Sequence, residues 1–256
     1  MSEAVKDKNN PVVRIDASGV YYKQLNDKLR QATCNGTRKI ELFNVHGQRY
    51  IGTDLHQPVD IEIKGTPGND LGAFMNGPRI TVYGNAQDGC GNTMNDGEIT
   101  VHGHAGDTVG LSARGGCIYI REGVGYRAGI HMKEYEDKKP VLVIGGTAQD
   151  FLGEYMAGGI LILLGMNLPE GDRHQSRFVG TGMHGGVIYL RGEIDEHQLG
   201  REVGIAELDD NDRAVLQQHI TEFARRTGYD APKILAGRFI KLFPRWLRPY
   251  GRLYCY

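Results

Sequence analysis

Four groups of residues have types and spacing suited to chemistry. Asp88 and Asp107 stand 19 residues apart, with Asn69 a further 19 before Asp88. Two such carboxylates, if superposed, suit acid–base work or calcium binding. Aspartate before a corner glycine is also ordinary turn chemistry, its side chain accepting from nearby backbone N–H groups. His102 and His104 flank Gly103, and two histidines two apart can ligate a metal once a third ligand joins them. Exposed histidines at the edge of a turn are the simpler reading. Gly180-Thr-Gly182-Met-His-Gly185 satisfies G-x-G-x-x-G literally. A dinucleotide fingerprint also needs a following helix, and here the strand-like Val187-Ile-Tyr-Leu190 follows, so these read as corner glycines. Residues 239–256 carry six aromatics, and from Lys233 onward there are six basic residues and no acidic one. Such a tail suits nucleic acid or a protein interface, whose cores favour aromatics and Arg. Its two prolines and lack of low complexity favour the interface.

These residues sit on a repeat. Starts at Ile61, Ile80, Ile99, Ile118, Leu142, Leu161 and Ile188 are separated by 19, 19, 19, 24, 19 and 27 residues. Each start has a second apolar residue two places on, and two side chains so spaced share one face of a strand. Glycine recurs four places on at Gly65, Gly84, Gly103, Gly146 and Gly165, and eleven places on at Gly72, Gly91, Gly110, Gly129 and Gly153; Gly180 opens the glycine cluster before the last strand. These are read as structural corner glycines, because glycine alone takes φ > 0 without cost. One unit cannot bury its few apolar side chains, whereas stacked units can. Nineteen residues are too few for a βαβ unit. An aliphatic residue every six positions, the mark of left-handed coils, is missing. The fold class predicted is therefore mainly β: a right-handed single-stranded parallel β-helix of about seven 19-residue coils, with an N-terminal helix and C-terminal helices.

The domain plan has three parts: 1–39 with a capping helix over about Ser18–Cys34, 40–195 as the β-helix, and 196–256 as helices and the basic aromatic tail. Asp209 to Asp212 should open a helix that Gly228 ends, with a shorter helix from Pro232 to about Leu242. Insertions at His131–Pro140 and Met166–Phe178 should form loops, which often carry contacts. Of the 256 residues 37 are glycine, about twice the usual share, and they follow the repeat. A net charge of −1 argues against general nucleic-acid binding. Cys34, Cys90, Cys117 and Cys255 form no Cys-x-x-Cys pair, so neither a zinc nor an iron–sulfur motif is expected. Free thiols, with no signal peptide and no membrane span, predict a cytoplasmic protein. His131, His184, Arg245, Trp246, Arg248 and Tyr250 are taken as partner contacts; no catalytic, cofactor or metal residue is assigned.

The motifs Val45-His-Gly47-Gln-Arg49-Tyr-Ile-Gly52, Gly72-Ala-Phe-Met-Asn-Gly77, Asp88-Gly-Cys-Gly91, Asp107-Thr-Val-Gly110, Gly153-Glu-Tyr-Met-Ala-Gly158-Gly159 and Gly180-Thr-Gly182-Met-His-Gly185-Gly186 together resemble the GXGXG domain. That domain is the C-terminal right-handed β-helix of the glutamate synthase alpha subunit, and it is also found in one of the subunits of formylmethanofuran dehydrogenase. The length and added helices are similar to the stand-alone form of the domain. The chain begins Met1-Ser2, without the family's N-terminal cysteine nucleophile, and has none of the closely spaced cysteines of the synthase domain. The resemblance thus implies a non-catalytic subunit that packs against an FMN-domain synthase subunit and a glutamine amidotransferase subunit. FMN and the iron–sulfur cluster are expected on the partner and no cofactor on this chain. The alternatives are a scaffold in a molybdenum or tungsten enzyme of the formylmethanofuran dehydrogenase type, and an independent β-helix enzyme such as a polysaccharide lyase.

Overall fold

A computed structural model describes residues 12–169 and 171–246. Arg248 and Tyr250, two of the residues taken as partner contacts, lie outside this range, as does Cys255.

The chain opens with β1 (Val12–Asp16), α1 (Tyr22–Cys34) and β2 (Lys39–His46). It then climbs through β3 (Asp60–Thr66), β4 (Asn76–Tyr83), β5 (Asp96–Val101), β6 (Cys117–Ile120), β7 (Val141–Ile144), β8 (Ala157–Leu163) and β9 (Gly185–Arg191). All nine strands pair in parallel with their neighbours in order. The repeat sets the register: Ile61 faces Ile80, Ile80 faces Ile99, and so on through Ile118, Leu142, Leu161 and Ile188. The protein is a parallel β-solenoid. The seven starts bound six complete turns rather than seven, since a turn lies between two successive strands. The less regular turn from Ile40 to Ile61 precedes them, with a bulge between Leu42 and Val45.

Each repeat start and the apolar residue two places on point inward and are buried, as are Ile80 and Val82 or Leu161 and Leu163. Burying each such aliphatic side chain contributes roughly 1.5–3 kcal/mol. Helix α1 carries buried Leu25 and Leu29 into the same core, at its first-coil end. It begins at Tyr22, four residues later than its periodicity suggests, because Gly19 turns the chain at φ +64°.

The residue between these two points outward, and its chemistry changes along the rod. It is Glu62, Thr81 and Thr100 in β3 to β5, then Tyr119, Val143, Ile162 and Tyr189 in β6 to β9. That later apolar strip is covered by α2 (Asp210–Thr227), which lays Leu216, Ile220 and Phe223 on it, and by Ile234 of α3 (Ala231–Leu235). Helix α2 starts on a capping box between Asp209 and Asp212 and ends at Gly228 in the left-handed region.

The shorter helix does not run to Leu242. It stops at Leu235, and β11 (Phe239–Pro244) follows, antiparallel to both β9 and β10 (Val203–Ala206). Phe239 and Leu242 are buried, so the start of the aromatic tail belongs to the sheet. The buried residues of β11, Phe239 and Leu242, are three apart, a spacing that a helix continuing from Pro232 would also give. Among the described residues no helix is long and apolar enough to cross a membrane.

Candidate functional site

Each coil turns at a five-residue corner whose first, third and fifth residues have positive φ. The sets are Tyr50/Gly52/Asp54, Asp70/Gly72/Phe74, Gly89/Gly91/Thr93, Thr108/Gly110/Ser112, Arg127/Gly129/His131, Phe151/Gly153/Tyr155 and Phe178/Gly180/Gly182. The cause is hydrogen bonding. The central glycine donates to the preceding coil, as Gly110 N–H does to Cys90 O (2.8 Å). The flanking residues donate to the following coil, as Thr108 does to Tyr126 O (2.8 Å) and Ser112 to Ile130 O (2.9 Å). Alternating the backbone this way satisfies both neighbours. The residue between the first and third, such as Leu71, Val109 or Leu152, is buried. The outer two side chains therefore stand on the surface, in two columns.

Positive φ at a bulky residue is unusual and persists only where the surroundings impose it. On the later coils these columns carry rings. Phe151 stacks on Phe178 (centroids 4.9 Å, 14°), and the Arg127 guanidinium lies 4.7 Å from the Phe151 centroid. His131 stacks on Tyr155 (5.3 Å, 13°). Arg127 also pairs with the nearly buried Glu154, which sits between the columns. Phe178, Tyr155 and the nearby Tyr126 are all substantially exposed. This cation-edged aromatic ridge is the strongest candidate surface for contact with another protein. Sequence reasoning placed only His131 on it. The signal for the rest was the residue two places either side of each recurring glycine.

The glycines four places past each start behave differently. Gly103 and Gly146 do not have positive φ; they are needed because neighbouring coils approach too closely. A Cβ on Gly103 would lie 2.1 Å from Asn85 Oδ1 and 2.9 Å from Gly84 O; one on Gly146 would lie 2.8 Å from Glu122 C and Gly123 N. Gly84 is close to fully extended, and its Cβ would lie 2.7 Å from Gly65 O. Gly65 and Gly165 have φ of +129° and +58°.

The carboxylates of Asp88 and Asp107 are committed to the coil. Asp88 Oδ1 accepts from Asp107 N–H (2.9 Å), and Asp107 Oδ1 accepts from Tyr126 N–H (2.8 Å). Asn85 does the same for His104 N–H and Asp150 for Arg177 N–H, both at 2.9 Å. His104 is tied down too: Nδ1 accepts from Gly123 N–H (3.2 Å) and Nε2 meets Glu122 Oε2 (2.7 Å). His102 is half-buried and stacks on Tyr83 (5.1 Å, 11°). Burial, then the charge of Arg121, holds its imidazole below the ordinary pKa. Among the described residues no three His, Cys, Asp or Glu side chains converge on a metal-sized site.

The literal G-x-G-x-x-G leads into β9, not a helix. The Tyr155 ring covers Gly182 so closely that a Cβ there would lie 2.4 Å from it, and a Cβ on Gly185 would lie 2.2 Å from Ala157 O. His184 is half-buried, with Nδ1 3.2 Å from Gly182 O. Arg245 anchors by its own N–H to Glu202 O (2.7 Å), and Trp246 is 65% exposed. Arg245 lines a groove together with Phe178, the last ring of its column, and Trp246 follows two residues after the end of β11, near the end of the strand order.

A family model described as "GXGXG motif" matches residues 26–248. A protein of Methanocaldococcus jannaschii, described as the uncharacterized protein MJ1350, is 49% identical over 252 residues, covering 94% of this chain and 96% of that one. The match begins within α1 and spans β2 to β9 and the helices and strands after them, and the chain belongs to the GXGXG motif family.

Proposed function

We propose that this chain is a non-catalytic structural subunit of a glutamate synthase-like complex. It packs against the subunit that carries FMN and an iron–sulfur cluster, and against the glutamine amidotransferase subunit. The reading rests on the family match across residues 26–248. It is supported by the use made of the chemistry-bearing side chains: Asp88, Asp107 and His104 hold adjacent coils together. The aromatic ridge supplies the contact face. The reading places flavin and nicotinamide chemistry on the partners, so this chain purified alone is expected to bind neither.

Affinity purification of the native protein tests it. The expected co-purifying chains are an FMN-binding synthase subunit and a glutamine amidotransferase. Recovery of a pterin–metal enzyme instead would assign the rod to a complex of the formylmethanofuran dehydrogenase type, and recovery of neither would defeat the proposal.

A further inference from the structure

The sheet's last strand has one side unpaired. In strand order β10 is terminal, beyond β11. Arg245 N–H donates to Glu202 O, and the antiparallel register pairs Val203 with Pro244, Gly204 with Phe243, Ile205 with Leu242 and Ala206 with Lys241. Bonded and non-bonded pairs alternate in such a ladder. Gly204 and Ala206 therefore bond to β11, while Val203 and Ile205 turn their N–H and C=O groups the other way. Val203 N–H is taken by Gly200 O (3.0 Å). Val203 C=O and both backbone groups of Ile205 face the open edge, and among the described residues none answers them.

The course of the chain, its charge and its apolar surface all bear on what covers this edge. β11 ends at Pro244, opposite the first residue of β10. Arg245 then lines a groove of about 660 Å³ with Phe178, Val203 and Ile205 among others. From β11 to the open side of β10 is two strand spacings, roughly 10 Å, and four residues, 246–249, reach roughly 13 Å when extended. Glu196 and Glu202 also line the groove; Glu202 accepts from Gly182 N–H (3.2 Å) and keeps its charge. Asp195 precedes Glu196, and Glu207, Asp209 and Asp210 follow β10. Arg173 pairs with Asp195 and Lys241 approaches Asp209, which leaves four carboxylates against Arg201 and Arg245. Residues 247–256 bring Arg248 and Arg252 and no acidic side chain. Phe178 gives one face to Phe151 and is still 49% exposed, and Ile205 is 40% exposed. Residues 247–256 supply Tyr250, Leu253, Tyr254 and Tyr256.

We infer that residues 247–256 turn back along the open side of β10 and pair with it as an added strand. Because β11 is antiparallel to β10, this strand runs parallel to β10. Pro249 has no N–H, so the residues of the other phase, Tyr250, Arg252 and Tyr254, bond to Val203 C=O and to Ile205. A tyrosine ring covers Phe178 and Ile205, and Arg248 and Arg252 meet Glu196 and Glu202. An exposed sheet edge is a ready template for another chain, and here the protein closes it with its own. The segment read from sequence as a partner contact is thus held within the chain, whichever complex the protein joins.

Amide hydrogen exchange, read residue by residue on the full chain by nuclear magnetic resonance, tests this. Ile205 N–H is expected to exchange about tenfold more slowly in the native chain than in Arg252→Pro, which lacks the central bonding N–H. Closure this shallow, about 1.4 kcal/mol for tenfold, hardly moves a melting temperature. Gly251→Pro, altered where the N–H faces solvent, should keep the protection. Arg248→Glu with Arg252→Glu should remove most of it, and rising salt should weaken it in the native chain. Gly204 and Ala206 amides, bonded to β11, are the controls and should not change. Fast exchange of Ile205 in the native chain, equal protection in all of these chains, or loss in both proline variants alike overturns the inference. Protection that falls on dilution also overturns it, since a second copy would then occupy the edge.

Discussion

Gly103 and Gly110 both recur with the repeat, yet they should respond differently to alanine. At Gly110 a Cβ meets its nearest atoms at 3.6–3.8 Å, ordinary contact distances. The cost there is the left-handed backbone, φ +69°, about 1–2 kcal/mol for an L-residue. It is offset by roughly 0.4–1 kcal/mol from the stiffer unfolded chain. The net loss is on the order of 1 kcal/mol. At Gly103 the backbone is unstrained but the space is occupied. Asn85 must give up its bond to His104 N–H (2.9 Å), worth about 0.5–1.5 kcal/mol. The Gly84 carbonyl, at 2.9 Å, belongs to the adjacent coil and moves only if the stack opens; overpacking of this kind costs roughly 1–3 kcal/mol. Gly103→Ala should therefore lose about 2–4 kcal/mol. Urea unfolding followed by far-ultraviolet circular dichroism measures both variants. The exposed Trp246 reports only on its own end. A Gly110→Ala loss equal to or greater than that of Gly103→Ala would refute the assignment of strain to one position and coil contact to the other.

Gly110→Val should cost on the order of 1–3 kcal/mol through the β-branched side chain at positive φ, seen as a lower melting temperature. Asp88→Asn keeps an acceptor for Asp107 N–H and should leave stability nearly unchanged, whereas Asp88→Ala should cost about 1 kcal/mol by the same urea titration. Leu242→Ala empties a buried site in β11 and should lose roughly 2–5 kcal/mol; truncation after Trp246 should leave the melting temperature nearly intact. His174 is buried, donates from Nε2 to Arg191 O (2.9 Å), and has Nδ1 without a partner beside cationic Arg191. Burial holds its pKa below the ordinary 6.5, so the unfolded chain binds the proton more readily. Its contribution is full above about pH 6.5 and is lost as pH falls through the folded pKa; urea midpoints measured down that range should decline, and His174→Gln should flatten the slope.

The strand register was legible because the repeat dictates it: one apolar pair per unit, in phase, has a single way to stack. The start and end of α2 were legible for local reasons, the acidic cap at Asp209–Asp212 and Gly228. Its seat was equally present in the sequence, in the change from Glu62, Thr81 and Thr100 to Tyr119, Val143, Ile162 and Tyr189, but that outward column carries meaning only once the coils are superposed. Truncating the tail at residue 243 would remove part of β11, so the tail is not wholly a partner contact. The pairing of β11 with β9 and β10 is non-local, and no residue between 239 and 244 announces it. The ridge was missed because its residues differ from coil to coil; only their shared backbone conformation, forced by bonds to the coils above and below, groups Arg127, Phe151, Tyr155 and Phe178.

The central claim, that this chain assembles the complex and performs none of its chemistry, is tested most directly by reconstitution. The chain and the synthase and amidotransferase subunits that co-purify with it would be mixed, and glutamine-dependent glutamate formation measured per assembled complex. Asp88→Asn, His102→Gln and His104→Gln should each leave that rate within about twofold, a barrier change of roughly 0.4 kcal/mol, while Phe178→Ala with Tyr155→Ala should weaken assembly. A collapse of the rate in any of the first three variants, with the complex still fully assembled on gel filtration, would contradict it.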